Sequence, residues 1–256
     1  MTALAGVLGF PVGHSRSPAM MNAAFAELGL DWRYVRLPVP PDLFDATVRA
    51  LPASGYLGAN VTIPHKVAAH DLAAELTEAA AAIGAVNTLG FADGRITGDN
   101  TDAGGLIDAL GMDLHGVSAL VLGAGGTGRA AVWALREAGA DVAIWNRTAE
   151  RAAELAGEFG VRHVPAPEPA RVLVNVTSLG MRGEDLPAQV GLDAVEPEVV
   201  ADVVYDSEPT PLCRWAERRG ARVVEGLEML LRQGARSFER WTGRPAPLDV
   251  MRATLS

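Results

Sequence analysis

Cysteine, aromatic residues and long apolar runs are scarce in this 256-residue sequence. Its single cysteine, Cys213, excludes an intramolecular disulfide and a multi-cysteine metal site, and it favours a reducing compartment, with the cytoplasm as the expected location. No run of about 18 uncharged apolar residues occurs, so we expect no membrane-spanning helix. Residues 1–12 are apolar but lack the basic start of a signal peptide, and we expect them to form a buried first strand.

Basic residues are fewer than acidic residues. Lysine and arginine total 22 against 31 aspartate and glutamate residues, which gives a formal net charge of −9 at pH 7. This balance disfavours nucleic acids and anionic membrane surfaces as partners, and it requires any anionic ligand to be held by local groups. The hydrophobic content of 49% predicts a compact soluble protein, whose length favours two domains or one large α/β unit.

The N-terminal part of the chain alternates strand-like and helix-like segments, which is typical of α/β proteins. Ser17 is predicted to be the N-cap, and Pro18 the first residue, of a helix that ends before Gly29. Strands are predicted over residues 34–39 and 56–63. A mainly parallel sheet is therefore expected.

Lysine is the rarest charged residue, because every basic residue except Lys66 is arginine. An ammonium group releases and regains a proton far more readily than a guanidinium group, which makes Lys66 a candidate acid/base group. A solvent-exposed lysine would give the same composition. One helix is predicted from Pro64 through residue 83, ended by Gly84, because apolar residues recur at helical spacing. Lys66 would then lie near the helix start, where its charge opposes the helix dipole, and such an inconsistency favours a function.

The middle of the chain contains a β-α-β unit. A buried strand over 119–122 is followed by residues 123–128 (GAGGTG), a helix and a second strand over 142–145. The G-x-G-x-x-G spacing at a strand-to-helix turn lets backbone N–H groups approach a pyrophosphate at the helix N-terminus. The context favours a dinucleotide site over a glycine-rich turn that binds nothing.

The end of the second strand distinguishes NADP from NAD. An NAD site needs an aspartate or glutamate there, to accept hydrogen bonds from the hydroxyls of the adenosine ribose. The sequence instead has Asn146, Arg147 and Thr148, with Arg151 one helical turn further on. Two guanidinium groups without a carboxylate favour a 2′-phosphate and hence NADP, although both could pair with glutamates of the same helix.

The rest of the chain continues the α/β pattern. Strands are predicted over 172–176 and 199–205, with polar residues at the carboxyl ends where ligands of open sheets bind. A final helix carries Gln233 beside a stripe of core residues, namely Leu227, Leu230, Leu231, Phe238 and Trp241. Domain changes are expected near Asp102 and near Gly226.

Several short segments, taken together, resemble the shikimate dehydrogenase family. They are residues 9–18 (GFPVGHSRSP), 60–66 (NVTIPHK), 84–88 (GAVNT), 100–102 (NTD), 123–128, 146–148, 175–178 (NVTS), Tyr205 and 233–243. The resemblance spans nearly the whole chain, and its N-terminal segments are more specific than the glycine loop. The sequence departs from the family in having Met21 where histidine is common, and Asp206-Ser207 where Asn-Pro is common.

The resemblance implies reversible reduction of 3-dehydroshikimate to shikimate by NADPH, within the chorismate pathway to the aromatic amino acids. It implies an α/β protein with an N-terminal substrate domain over residues 1–102, built on a mainly parallel mixed sheet. A Rossmann-type NADP-binding domain is expected over 103–225. A C-terminal helical segment over 226–256 is expected to pack back on the substrate domain.

The resemblance also implies a role for each matching residue. Lys66 and Asp102 match the family's catalytic acid/base pair. Ser15 and Ser17 match the positions that hold the substrate carboxylate, which agrees with hydroxyl donors at a helix N-terminus, although Ser17 could be a simple N-cap. The remaining substrate positions are Asn60, Thr62, Asn87, Thr101, Tyr205 and Gln233. Thr101 could equally be a helix cap. The cofactor positions are Gly123, Ala124, Gly125, Gly126, Thr127, Gly128, Asn146, Arg147, Thr148, Arg151, Thr177, Ser178, Val203 and Gly226.

The residues leave several alternatives open. No metal is expected, because His14 and His65 have no second ligand at suitable spacing. Quinate or an amino analogue of shikimate could be the substrate. A regulatory protein of this fold that binds NADP and shikimate-like ligands without turnover is a further possibility, as is another NADP-dependent reductase with the same cofactor domain. The expected partners are small molecules, and the oligomeric state is either monomer or homodimer.

Overall fold

The computed structural model describes residues 2–206 and 208–255. Ser207, discussed above with Asp206, lies outside the described residues. The chain divides into two compact units, the first comprising Met1–Gly105 with Leu231–Ser256 and the second comprising Leu106–Leu230. Within the described ranges, none of the helices has the length and apolarity required to cross a membrane.

The first unit is built on a six-stranded mixed sheet. Its strands are β1 (Ala3–Gly9), β2 (Trp32–Pro38), β3 (Tyr56–Val61), β4 (Glu75–Leu76), β5 (Thr88–Ala92) and β6 (Arg95–Asp99). Their order is β2-β1-β3-β5-β6-β4. The β1–β2, β1–β3 and β4–β6 pairs are parallel, whereas β5 is antiparallel to both β3 and β6. The predicted mainly parallel mixed sheet is confirmed.

Eleven α-helices accompany the strands in the described residues, and their bounds follow in chain order. They are α1 (Ser17–Glu27), α2 (Phe44–Ala50), α3 (Lys66–Leu72), α4 (Glu78–Ile83), α5 (Thr101–Leu110), α6 (Gly126–Glu137), α7 (Ala149–Phe159), α8 (Leu186–Val190), α9 (Pro211–Arg218), α10 (Gly226–Thr242) and α11 (Leu248–Ala253).

The single helix predicted from Pro64 through residue 83 is wrong. Helix α3 begins at Lys66, after Pro64, and a short strand, β4, separates it from α4. The Thr77 N–H donates to the carbonyl of Gly98 at 3.0 Å, so this segment pairs with β6 instead of continuing the helix. Thr77 then caps α4 by accepting from the N–H of Ala80. Strand pairing has overridden the helical periodicity.

Helix α1 begins one residue earlier than predicted. Arg16 is the N-cap and no side chain caps the helix, so Ser17 is the first helical residue and Pro18 the second. The prediction that Ser17 is the N-cap is therefore wrong. The Ser17 N–H instead donates to Ser15 Oγ at 3.3 Å. This leaves the Ser17 hydroxyl without a hydrogen-bond partner among the described residues.

The second unit contains a six-stranded sheet in which every pair is parallel. Its strands are β7 (Ser118–Leu122), β8 (Asp141–Trp145), β9 (Arg162–His163), β10 (Val172–Asn175), β11 (Val199–Asp202) and β12 (Arg222–Val224). The order is β12-β11-β10-β7-β8-β9. If β7 to β12 are renumbered 1 to 6, the order read from the β9 edge is 3-2-1-4-5-6, which is the order of the Rossmann fold. The chain reverses its direction across the sheet between β7 and β10. The predicted Rossmann-type fold is confirmed.

Candidate active site

Lys66 and Asp102 form a buried ion pair in the first unit. Lys66 is the first residue of α3 and Asp102 lies in the first turn of α5. The residues are only 8% and 5% exposed, and Lys66 Nζ donates to Asp102 Oδ2 at 2.5 Å. A buried ammonium is retained only where a partner compensates for its lost water. The carboxylate both offsets the charge of Lys66 and fixes the position of its ammonium.

Asn87 fixes the other oxygen of the same carboxylate. Its Nδ2 donates to Asp102 Oδ1 at 2.8 Å, while its Oδ1 accepts from the backbone N–H of Thr101 at 2.7 Å. A backbone N–H can only donate, so the Asn87 amide cannot turn over without placing two donors against each other. The two oxygens of Asp102 are thereby distinguished, one facing Asn87 and the other Lys66.

Gln233 lies beside the same group of side chains. Its Oε1 is 3.4 Å from Asn87 Nδ2. Helix α10 reaches this position because Gly105 of α5 has no side chain: a Cβ built there would lie 2.8 Å from the backbone nitrogen of Gln233. The structure therefore brings together Lys66, Asn87, Thr101, Asp102 and Gln233, all of which were predicted from the sequence.

Ser15 and Ser17 lie together at the N-terminus of α1. Both are 6% exposed, and the described residues supply no acceptor for either hydroxyl proton. The Arg36 guanidinium donates to the carbonyl of Ser15 at 2.6 and 3.1 Å, which holds this loop in place. Uncapped helix N–H groups and two hydroxyls can hold an anion without a formal positive charge. Sequence reasoning missed Arg36, because nothing local links a β2 arginine to the loop before α1.

Thr62 and Asn60 differ in whether their side-chain polar atoms already form hydrogen bonds within the protein. The Thr62 hydroxyl is half-buried and makes no hydrogen bond within the described part of the chain. Asn60 Oδ1 accepts from the Tyr34 hydroxyl at 2.7 Å, and Asn60 Nδ2 donates to Ser237 Oγ at 2.8 Å. Both ends of the Asn60 amide are thus engaged, which favours a positioning role over the expected contact with a ring hydroxyl.

His65 is buried beside Lys66 and has a structural environment. It is 2% exposed, stacks on Phe44 with ring centroids 4.4 Å apart, and shares a 2.8 Å hydrogen bond with the carbonyl of Val39. Burial lowers the pKa of His65, and the backbone contact only partly opposes that effect. The described residues include no group of three or more His, Cys, Asp or Glu side chains placed to hold a metal ion.

The glycine loop of the second unit connects β7 to α6. Gly123 has φ of 116°, and a Cβ at Gly128 would lie 2.2 Å from the carbonyl oxygen of Gly123, so both positions require glycine. A Cβ at Gly125 would meet nothing within 4 Å. Gly125 is the N-cap of α6. It has no side chain that could cap the N–H groups of the first helical turn, which starts at Gly126. These features leave room for an anion at the helix start.

The segment after β8 presents the predicted basic residues. Asn146 Oδ1 accepts from the N–H of Ala124 at 3.3 Å and its Nδ2 donates to the carbonyl of Thr148, which ties this segment to the glycine loop. Arg147 and Arg151 are exposed and form no ion pair or hydrogen bond within the described ranges. The alternative that they pair with glutamates of α7 is not observed.

The other predicted cofactor positions follow β10 and β11. Asn175 Oδ1 accepts from both the N–H and the hydroxyl of Thr177, which orders the turn that leads to the exposed Ser178. A Cβ at Gly226 would lie 2.7 Å from the carbonyl oxygen of Val203, so these two residues pack against each other. Tyr205 is half-buried. It lies in the second unit, whereas the other predicted substrate residues lie in the first.

Comparison with known proteins gives a consistent result along the chain. The family model described as the shikimate dehydrogenase substrate binding domain matches residues 7–89. The model described as shikimate / quinate 5-dehydrogenase matches 107–175, and that of the shikimate 5′-dehydrogenase C-terminal domain matches 226–255.

Whole-chain relatives agree with these matches. The chain is 44% identical over 272 residues to shikimate dehydrogenase (NADP(+)) of Methanothermobacter thermautotrophicus, covering 99% of this chain and 96% of the relative. It is 42% identical to shikimate 5-dehydrogenase of Thermus thermophilus, solved in complex with NADP(H) and shikimate, with a TM-score of 0.90 and coverage of 99% and 98%. A ligand-free 5-ketofructose reductase of Gluconobacter sp. strain CHM43 is 30% identical, with a TM-score of 0.87 and coverage of 100% and 98%. The chain therefore belongs to the shikimate dehydrogenase family of oxidoreductases.

Proposed function

We propose that this protein catalyses the reversible NADP-dependent reduction of 3-dehydroshikimate to shikimate, in the pathway to chorismate and the aromatic amino acids. The observation that carries the proposal is the buried Lys66–Asp102 pair, held by Asn87 beside Gln233. Membership of the family and similarity to enzymes named for shikimate and NADP support the choice of substrate and cofactor.

The substrate carboxylate binds at the start of α1. Ser15 and Ser17 donate to it through their hydroxyls, and the uncapped N–H groups of the helix add a favourable dipole. Amide and hydroxyl groups that can donate and accept bind the ring hydroxyls. These are Thr62, Asn87, Thr101 and Gln233, all in the first unit, while Asn60 acts indirectly.

Proton transfer is the task of Lys66. Reduction of a ketone places a hydride on the carbon and a proton on the oxygen, and NADPH supplies the hydride when bound. Lys66 Nζ donates the proton to the substrate oxygen, and Lys66 regains a proton from solvent after product forms. In the reverse direction, neutral Lys66 accepts the proton of the hydroxyl. Asp102 positions the amine throughout.

The second unit is suited to NADP. The pyrophosphate would bind at the start of α6, where Gly125 leaves open space beside a first helical turn that has no side-chain cap. Arg147 and Arg151, which have no partner within the described residues, bind the 2′-phosphate. We assign residues 1–102 as the substrate domain, 103–225 as the NADP domain and 226–256 as a C-terminal segment that completes the substrate domain.

The test is an absorbance assay of nicotinamide reduction with shikimate, quinate and an amino analogue of shikimate, each with NADP and with NAD. Reduction of 5-ketofructose by NADPH is assayed in parallel, because one relative carries that name. We expect the highest kcat/KM with shikimate and NADP. A higher value with another substrate would contradict the assignment, and binding of both ligands without turnover would favour a regulatory protein.

A further inference from the structure

Three buried hydroxyl groups meet beside Asn87. They belong to Thr88 at the start of β5, Thr101 at the start of α5 and Ser237 of α10, and we call them the hydroxyl cluster. Thr88 and Ser237 are 0% exposed. The hydroxyl oxygens of Thr88 and Ser237 are 2.8 Å apart, and each lies 3.2 Å from that of Thr101. None of the roles proposed above uses Thr88 or Ser237.

The Asn60 amide sets the direction of the hydrogen bonds in the hydroxyl cluster. Asn60 Nδ2 donates to Ser237 Oγ at 2.8 Å and lies 3.1 Å from Thr88 Oγ1. The amide is fixed in this orientation because its oxygen accepts from the Tyr34 hydroxyl at 2.7 Å. Each hydroxyl has one proton, so Ser237, which accepts from Asn60, donates to Thr88 across their 2.8 Å contact, and Thr88 directs its own proton elsewhere.

The proton of Thr88 is directed at Asn87. Thr88 Oγ1 donates to Asn87 Oδ1 at 3.0 Å. Asn87 Oδ1 also accepts from the Thr101 N–H at 2.7 Å. Its amide nitrogen is consequently aimed at Asp102, whose second oxygen holds Lys66. The hydroxyl cluster is thus connected to the ammonium through Asn87 and Asp102.

We propose that Thr88 and Ser237 are positioning residues for proton transfer: their hydroxyls orient the Asn87 amide, and through it the Asp102 carboxylate and the Lys66 ammonium. This role rests on the proposed function. A purely structural role is the competing explanation, since any buried polar group must be hydrogen-bonded. The two explanations differ in what happens at Lys66 when a hydroxyl is removed without change of shape.

The chain offers a matched set of variants for this comparison. Thr88→Val removes the hydroxyl and keeps the side-chain shape, whereas Thr88→Ser keeps the hydroxyl. Ser237→Ala removes the second hydroxyl and provides an independent variant if Thr88→Val folds poorly. Thr242→Val is the control on the same helix, because the Thr242 hydroxyl bonds only to backbone groups near the end of α10, outside the hydroxyl cluster.

Steady-state kinetics with shikimate and NADP give the first readout. We expect Thr88→Val and Ser237→Ala each to lower kcat by about 10- to 100-fold, because small displacements of reacting groups have effects of this size. KM for NADP should stay unchanged. Thr88→Ser and Thr242→Val should keep kcat within about threefold of the wild type.

The single lysine gives a second readout that needs no substrate. Labelling with isotope-enriched lysine produces one side-chain signal in the NMR spectrum, because Lys66 is the only lysine. A buried, paired ammonium exchanges its protons slowly enough to be observed. We expect this signal in the wild type, Thr88→Ser and Thr242→Val, and its broadening or displacement in Thr88→Val and Ser237→Ala.

Agreement of both readouts supports the positioning role. A lower melting temperature with unchanged kcat, or a lower kcat with an unchanged lysine signal, would overturn it. Absence of turnover in the wild type would refute the proposed function instead. The lysine signal would then still decide whether the hydroxyl cluster positions Lys66.

Discussion

Lys66 lies where a lysine is least favoured. Its charge opposes the dipole at the start of α3, and its side chain is only 10% exposed. The Asp102 carboxylate compensates for both costs, and Asn87 keeps that carboxylate in place. A residue that requires this much support from its neighbours is typical of a functional site.

Arg147 is expected to distinguish the two nicotinamide cofactors. We predict that Arg147→Ala raises KM for NADPH by about tenfold, which corresponds to the loss of about 1.4 kcal/mol of binding free energy. KM for NADH should remain within about twofold, because NADH has no 2′-phosphate for the guanidinium to contact. Initial-rate measurements with both cofactors provide the comparison.

Arg162→Ala is the matched control for that experiment. Arg162 is also an exposed arginine of the second unit, but it is paired with Glu168 at 2.5 Å. Its loss should leave both Michaelis constants unchanged. Equal increases for NADPH and NADH in Arg147→Ala would show that the guanidinium does not bind the 2′-phosphate.

At the scale of secondary-structure elements, the start of α6 depends on close contact between two glycines. A Cβ at Gly128 would lie 2.2 Å from the carbonyl oxygen of Gly123, so Gly128→Ala must displace the loop from the helix. We predict a lower melting temperature and weaker NADP binding, measured by calorimetry. Shikimate binding should persist, because Gly128 is in the second unit.

Gly157→Ala tests the same substitution where space is available. Gly157 lies inside α7, and a Cβ there would meet nothing within 4 Å. Alanine is favoured over glycine in a helix interior by about 1 kcal/mol, so this variant should be slightly more stable and bind NADP normally. Similar behaviour of the two variants would contradict the role assigned to Gly128.

Prediction of the elements from sequence succeeded where local signals and tertiary structure agree. The glycine loop, its helix and its two flanking strands all lie within residues 118–145, so local sequence patterns determine them, and both strands and the helix were predicted. The segment from Pro64 to residue 83 has helical periodicity, yet hydrogen bonds to β6 interrupt it. No local pattern reveals that a distant strand supplies those partners.

At the scale of the whole molecule, His65 makes folding stability depend on pH. Burial lowers the pKa of folded His65 below its ordinary value of 6.5, so the unfolded chain binds the proton first as the pH falls. The contribution of His65 is fully present above pH 6.5 and is lost as the pH falls toward the lower folded pKa. The slope from one group is at most about 1.4 kcal/mol per pH unit.

Urea unfolding between pH 8 and pH 5 measures this contribution. We predict that His65→Gln is less stable than the wild type above neutral pH, because stacking on Phe44 is lost, and that the difference narrows toward acid pH. The exposed His115 is the control, because it lies outside the stack on Phe44 and His115→Gln should not reproduce the loss of stability expected for His65→Gln. A constant difference between His65→Gln and the wild type would contradict the assignment.

The α/β fold was predictable, because strand-helix alternation recurs along the chain and the glycine loop is a strong local signal. The candidate site was predictable only in part. Lys66 was found through its rarity, and Asp102 through the resemblance to a family. Thr88 and Ser237 lie in segments that resemble the family, yet neither was singled out, because a threonine in a strand and a serine in a helix are ordinary until the fold places them 2.8 Å apart.

The central claim is that Lys66 transfers the proton, and replacing its ammonium tests this most directly. The measurement is kcat for NADP reduction by shikimate in the wild type, Lys66→Ala and Lys66→Arg. We predict that both variants lose about two to four orders of magnitude, because alanine has no proton to exchange and arginine keeps its charge but does not release it. A kcat within a few-fold of the wild type in Lys66→Arg would show that the residue supplies only positive charge, and the same result in Lys66→Ala would remove it from the mechanism.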